Sequence, residues 1–257
     1  MKKIYLFVLL CLCIACNRSS IIKENSPKLI EPVVLNVNGP ELFQYWEIDK
    51  IDSDYILTAE NGLEIYKDSL LLVLGKEKLN KILEMERSQK GAIRPLRLGL
   101  QQGEHDNYII AHSGEVGSIR PINHLEYQLL NFQASRYSML GHPTEFGAFI
   151  LSNDSLNKLR VCYAGGDKSW PPRLGLLLDY IEEVQKKDWY LSTFLHNHFE
   201  PDSAGYVGVL APSMTDAEYF KMLRDNFDIP NTLITNGFHT VVLDSTHFDR
   251  FKQHVRE

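Results

Sequence analysis

The chain has 257 residues, a net charge of −6 and 44% apolar side chains. That apolar share supports a proper core and excludes wholesale disorder, and an acidic balance with no basic run argues against nucleic-acid binding. The length fits one large domain or two small ones.

Lys2 and Lys3 precede an apolar run from Ile4 to Ala15 that is too short to cross a bilayer as a helix. The run ends in Cys13-Ile14-Ala15-Cys16. This pattern resembles a bacterial lipoprotein signal. The resemblance implies a signal peptide over 1–15, cleavage before Cys16, a lipid on that cysteine and a place in the cell envelope, anchored to a membrane. An ordinary secretory signal with an incidental cysteine is the alternative. Cys11 and Cys13 leave with the signal, so Cys162 stands alone in the domain and no intramolecular disulfide can form. Cys162 lies in an apolar run, as a buried filler would.

Residues 16–32 are polar and aperiodic, which suits a tether. From 33 to 120 the pattern is mixed. Tyr55 to Thr58, Leu63 to Tyr66 and Leu70 to Leu74 are expected as short strands, with Asn61-Gly62 as a hairpin turn. Leu79, Ile82, Leu83 and Met85 predict a helix around Lys76 to Arg87, and Asn107 to Ala111 is expected as a strand. The region is taken as a small α+β extension. Its Arg94, Arg97 and Arg120 are expected at the surface.

From Pro121 the pattern sharpens into a second unit, 121–257. Pro121 suits a first helical position, and Ile122, Leu125, Leu129 and Phe132 form a helical stripe that Gly141 and Pro143 close. Phe146 to Leu151 and Leu159 to Ala164 predict two strands, and Leu174, Leu177, Leu178 and Ile181 a helix. Trp189 to His198 predicts another strand. A helix follows from Ser213 with Phe220, Leu223 and Phe227 on one face. Thr232 to Thr235 and Phe238 to Leu243 flank the hairpin signal Asn236-Gly237. Ser245 is expected to cap a last helix bearing Phe248, Phe251 and Val255.

On a strand, His196 and His198 point to the same face and can chelate one metal. Asp216 can add a carboxylate. Two nitrogens and one oxygen suit Zn2+ and leave a fourth position open, the arrangement of a catalytic site. Ser213 and Asp216 also match a helix capping box, Glu145 opens an apolar strand, and His196 with His198 could equally be a hydrogen-bonded pair. His142 and His239 are expected as turn or surface histidines, His247 and His254 as solvated, and Glu200 and Asp202 as loop charges.

The ordered set Pro143-Thr144-Glu145-Phe146-Gly147, His196-Asn197-His198, then Pro212-Ser213-x-x-Asp216 resembles the JAMM/MPN metalloprotease family. Phe199 replaces that family's usual proline, and the segment from His198 to Ser213 is longer than usual, so a loop is inserted beside the site. The resemblance implies an α/β fold, a JAMM/MPN-like mixed sheet flanked by helices, with the α+β extension in front. It implies a zinc hydrolase of peptide or isopeptide bonds, with His196, His198 and Asp216 on the metal, Glu145 as proton carrier and Ser213 as hydrogen-bond donor. A peptide or protein substrate is its partner. The alternatives are an inactive domain of the same fold that binds a partner protein, and a hydrolase of cell-wall peptide crosslinks.

Overall fold

Two strands with no exposed residue form the spine of the fold: β4 (Phe146–Asn153), buried along its whole length, and β5 (Lys158–Gly165), buried over most of it. The computed structural model describes residues 29, 31–50, 57, 61–89, 102–137, 143–168, 175–199 and 208–254. Around the spine lie β1 (Val33–Asn38), β2 (Glu41–Asp49), β3 (Gly117–Pro121), β6 (Tyr190–Asn197), β7 (Asn231–Thr235) and β8 (His239–Asp244). They make one eight-stranded mixed sheet in the order β1-β2-β5-β4-β6-β7-β8-β3. Among the described residues only the β6–β7 pair is parallel.

Helices cover both faces, so β4 is apolar on both sides and its side chains divide by parity. Phe146, Ala148 and Ile150 join one core with Trp46, Val161, Tyr163 and Leu195. That core is closed by Leu125, Leu129 and Leu130 of helix α4 (His124–Arg136) and by Tyr66 of helix α1 (Gly62–Leu74). Phe149 and Leu151 face the other way, with Cys162 and Phe194. There they meet helix α3 (Gln102–His112), helix α5 (Gly175–Gln185) and helix α6 (Met214–Phe227). Each helix is amphipathic only in the sense that it buries one stripe; Ala217, Phe220 and Leu223 are the stripe of α6. Cys162 is a buried free thiol, and its apolar surroundings push it up to about 12, so it is inert.

The mixed α/β sheet with flanking helices agrees with expectation. The helix α2 (Lys76–Gln89) also lies where its stripe predicts. Several elements differ. Leu63 to Tyr66 and Leu70 to Leu74 are not strands but one helix, α1. Leu63, Tyr66, Leu70 and Leu74 recur at helical spacing, and they pack on α4 and α2. Gly62 is not a hairpin residue: a Cβ there would lie 2.2 Å from the Asn123 carbonyl oxygen, so the glycine permits close approach of two helix starts. Asn107 to Ala111 is likewise helical, within α3. Asn107 is fully buried, donates to the Pro212 and Lys252 carbonyls and accepts from the Lys252 N–H.

Pro121 ends β3 rather than starting a helix. The cap of α4 is Asn123, which forms a reciprocal box with Glu126, and the helix ends at Arg136. Arg120 makes a two-pronged ion pair with the buried Glu126 instead of standing free at the surface. The last helix is a short 3-10 turn, Ser245–Arg250, capped by Asp244 rather than Ser245. Strands β1 and β2 precede residue 121 and β3 ends on it, so the sheet runs across the boundary drawn from sequence. The signal peptide, Cys16, most of Tyr55 to Thr58, Arg94, Arg97, His142, Glu200, Asp202 and Val255 lie outside the described residues.

Candidate metal centre

The two histidines sit at the C-terminal end of β6. A bulge near its start, between the pairs Ile150–Thr193 and Leu151–Leu191, resets the parity. From Phe194 onward the even-numbered side chains face α6, while Leu195 faces α4. His196 and His198 therefore open on one side, with ring centroids 4.7 Å apart. The His198 N–H continues the parallel ladder to the Thr235 carbonyl at 2.8 Å.

Helix α6 brings the carboxylate. Ser213 is its N-cap: Ser213 Oγ accepts from the Asp216 N–H at 3.1 Å, and Asp216 Oδ2 accepts from the Ser213 N–H at 2.8 Å. The capping box and the metal-ligand reading of Ser213-x-x-Asp216 thus hold together. Its carboxylate reaches past the cap to both rings. Asp216 Oδ2 lies 3.3 Å from His198 Nε2, and Asp216 Oδ1 lies 3.9 Å from His196 Nδ1. Ligand atoms of all three residues lie within 4.8 Å of one another. Atoms bound tetrahedrally to one ion at about 2.0–2.1 Å stand roughly 3.3 Å apart, a spacing the His198–Asp216 pair already has and the His196–Asp216 pair approaches.

Two further features fit an ion. His198 Nδ1 is 2.7 Å from the Val209 carbonyl, which can only accept, so Nδ1 carries the proton and Nε2 is the nitrogen presented to Asp216. A backbone carbonyl behind the far nitrogen is the usual way to orient a ligating histidine. His196 Nε2 is buried with no hydrogen-bond partner. Such an orphan is costly unless it has another use.

Before any ion binds, His196 and Asp216 stand in their ligating forms, while His198 carries a second proton that a metal would have to displace. Burial pushes His196 down to about 4, only partly opposed by Asp216, so it is neutral. Burial opposes the charge on His198 as well, but the hydrogen bond and charge of Asp216, the charge of Glu145 and the Val209 carbonyl outweigh it and raise the group to about 9. Burial also works against ionised Asp216, yet His196, His198 and Ser213 hold it well below the usual carboxylate range.

Glu145 stands just before β4, half-buried, close enough for its charge to act on His198. Its place is fixed from both sides by Asn197, whose side chain points opposite to the histidines. The Phe146 N–H donates to Asn197 Oδ1 at 2.7 Å, and Asn197 Nδ2 donates to the Thr144 carbonyl at 3.0 Å. The Glu145 N–H itself bonds to the Lys168 carbonyl. Behind Thr144, Gln133 donates to Thr144 Oγ1 and to the Gly166 carbonyl and accepts from the Tyr163 hydroxyl.

No protein-family model, curated protein or solved structure matches the chain.

The five site residues nominated from sequence inside the described region thus converge: His196, His198 and Asp216 as a triad, with Glu145 and Ser213 beside it. The triad could hold a metal ion. The inserted loop returns to the site, because a Cβ on Gly208 would lie 1.9 Å from the His198 carbonyl oxygen, so only glycine lets Val209 reach the ring. Of the other histidines, His239 forms an ion-pair contact with Glu86 rather than adding a ligand. His247 and His254 touch Thr246 and Thr215 at the surface. Sequence reasoning missed Asn197 and Val209. The letters His-Asn-His carried the first, since a polar residue between two inward histidines faces the opposite core; a backbone carbonyl leaves no sequence signal.

Proposed function

We propose that the chain is a zinc-dependent hydrolase of peptide or isopeptide bonds, with a JAMM/MPN-like arrangement of sheet and helices. The observation that carries this reading is the convergence of two imidazoles and one ionised carboxylate from β6 and α6, with a second carboxylate, Glu145, at the edge of the same group. A zinc ion held by His196, His198 and Asp216 would act as a Lewis acid and bring the pKa of a coordinated water to about 7. Glu145 takes the proton of the attacking water and returns it to the leaving amine. Ser213 uses its hydroxyl oxygen to cap α6, which leaves its O–H free to donate to the oxyanion of the tetrahedral intermediate. Asn197 holds Glu145 at its post, and Val209 holds the tautomer of His198.

The lipoprotein-like signal favours the bacterial cell envelope as the site of this activity, with a lipid on Cys16 as the membrane anchor. Among the described residues no helix is long and apolar enough to cross a membrane. The reading is tested by metal analysis of the purified chain. Wild type should hold close to one zinc per chain after supplementation, and Asp216→Ala should lose most of it. Wild type that takes up no zinc would leave a partner-binding domain as the better reading.

A further inference from the structure

The metal centre lies at one end of the sheet, and the same end carries a second feature. The C-terminal ends of β6, β7 and β3 and the start of β8 meet there, with Pro121 paired to His239. A cavity of about 350 Å³ opens among them. It is continuous in chain with the centre. Leu210, in its wall, follows the Val209 whose carbonyl holds His198 Nδ1, and Asn236 follows the Thr235 whose carbonyl takes the His198 N–H.

The polar groups of this cavity are mainly acceptors. Glu86 of α2 is 5% exposed, a carboxylate taken almost wholly from water. His239 Nδ1 lies 2.6 Å from Glu86 Oε1, but one contact does not exhaust a carboxylate that has about four lone-pair sites. His112 of α3 lines the cavity and bonds to the Leu210 backbone, and its Nε2 is buried with no hydrogen-bond partner. Burial pushes His112 down, so that nitrogen offers a lone pair. The remaining wall is aliphatic, from Ile119, Pro121 and Leu210, apart from Asn236, whose Oδ1 already accepts from the Phe238 and His239 N–H groups. An aliphatic stem that ends in a hydrogen-bond donor, preferably cationic, matches this combination.

We propose that the cavity is a substrate subsite for a lysine-type side chain, one that carries a primary ammonium on an aliphatic stem. The assignment as a subsite rests on the hydrolase reading of the metal centre. From β6 to β3 is three strand spacings, roughly 14 Å, which an extended peptide crosses in about four residues. The ammonium-bearing residue therefore sits within about four positions of the scissile bond.

The test is equilibrium binding of two capped pentapeptides, one with a central lysine among alanines and one with norleucine in its place. Full-length protein is used in EDTA, so that nothing is cleaved. The lysine peptide should bind roughly ten- to a hundredfold tighter, the worth of a charged hydrogen bond. Glu86→Gln should remove that preference. Because Glu86→Gln also removes the charge facing His239 and can disturb folding, His112→Leu, which leaves the Glu86–His239 contact in place, is the second variant and should reduce the preference as well. Equal binding of the two peptides, or an undiminished preference in His112→Leu and in a folded Glu86→Gln, would overturn the proposal. Zinc-loaded wild type is assayed in parallel for cleavage of the lysine peptide and of a mixed peptide library. Cleavage without lysine preference removes the subsite alone; lysine preference with no cleavage of any peptide removes the hydrolase reading and leaves a binding cavity.

Discussion

Replacing Asn197 by Leu separates the two halves of the centre. Leucine nearly matches the shape of asparagine, so no large cavity opens, but both side-chain hydrogen bonds disappear. The Phe146 N–H and the Thr144 carbonyl then lose their partners inside a core where Asn197 is fully buried. Each buried backbone group left unsatisfied costs about 1–3 kcal/mol, so the pair costs about 2–6 kcal/mol. At about 2–4 °C per kcal/mol for a domain of this size, the melting temperature should fall by roughly 5–20 °C. The histidines point the other way and take their position from the β6 ladder, so zinc binding should survive. Glu145 lies between the two freed groups and should drift, so turnover should fall at unchanged zinc content. Thermal unfolding by circular dichroism, zinc analysis and turnover of a peptide found by library screening are read on the same preparation. A variant that melts within a degree or two of wild type, or one that loses zinc together with rate, would refute the clamp.

Glu145→Gln should keep zinc and fold while turnover drops about a hundred- to ten-thousandfold, the worth of a positioned base; unchanged turnover would remove Glu145 from the chemistry. Gly208→Ala should weaken zinc binding, because its Cβ would collide with the His198 carbonyl and carry Val209 off the ring; metal titration against wild type reads the shift. In the metal-free protein, melting temperature should peak near pH 6.5. His196, lowered to about 4, binds its proton more readily unfolded, so stability rises from pH 4 to 6.5; His198, raised to about 9, holds its proton more tightly folded, so stability falls from pH 6.5 to 9. A melt series in EDTA that rises steadily to pH 9 would contradict this. Cys16→Ser should abolish lipid incorporation in a bacterial host, read by detergent partitioning, with the domain still folded.

What could be read from sequence depended on which interaction set each element. Strands β4 to β8 and helix α6 announce themselves, because both their apolar period and their turn residues point the same way. In α1 the two signals conflict. Asn61-Gly62 has the letters of a hairpin, yet Gly62 is there because Asn123 presses against it, and that contact is invisible locally. The alternation of Trp46 and Ile48 with Glu47 and Asp49 marks β2, and with the Gly39 turn, at φ 59°, it could have revealed the first hairpin. The convergence of His196, His198 and Asp216 was legible because their spacing is fixed by strand period and helix cap. Asn107 was not, since its partners Pro212 and Lys252 lie more than a hundred residues away.

The cap of α6 joins stability to chemistry. Asp216 occupies the third position of the helix, where backbone N–H groups and the helix dipole favour a negative charge. One oxygen of its carboxylate closes the capping box with Ser213, and that same oxygen faces His198. The bond that starts the helix thus fixes the orientation of the Asp216 carboxylate and helps keep it ionised. Asn107 bonds to the Pro212 carbonyl immediately ahead of the cap, so α3 holds the same turn from behind. A centre assembled this way draws its geometry from the bonds that end and begin secondary structure. The triad therefore belongs to the fold itself, and a change that loosens the α6 cap should displace Asp216 even where it touches none of the three residues.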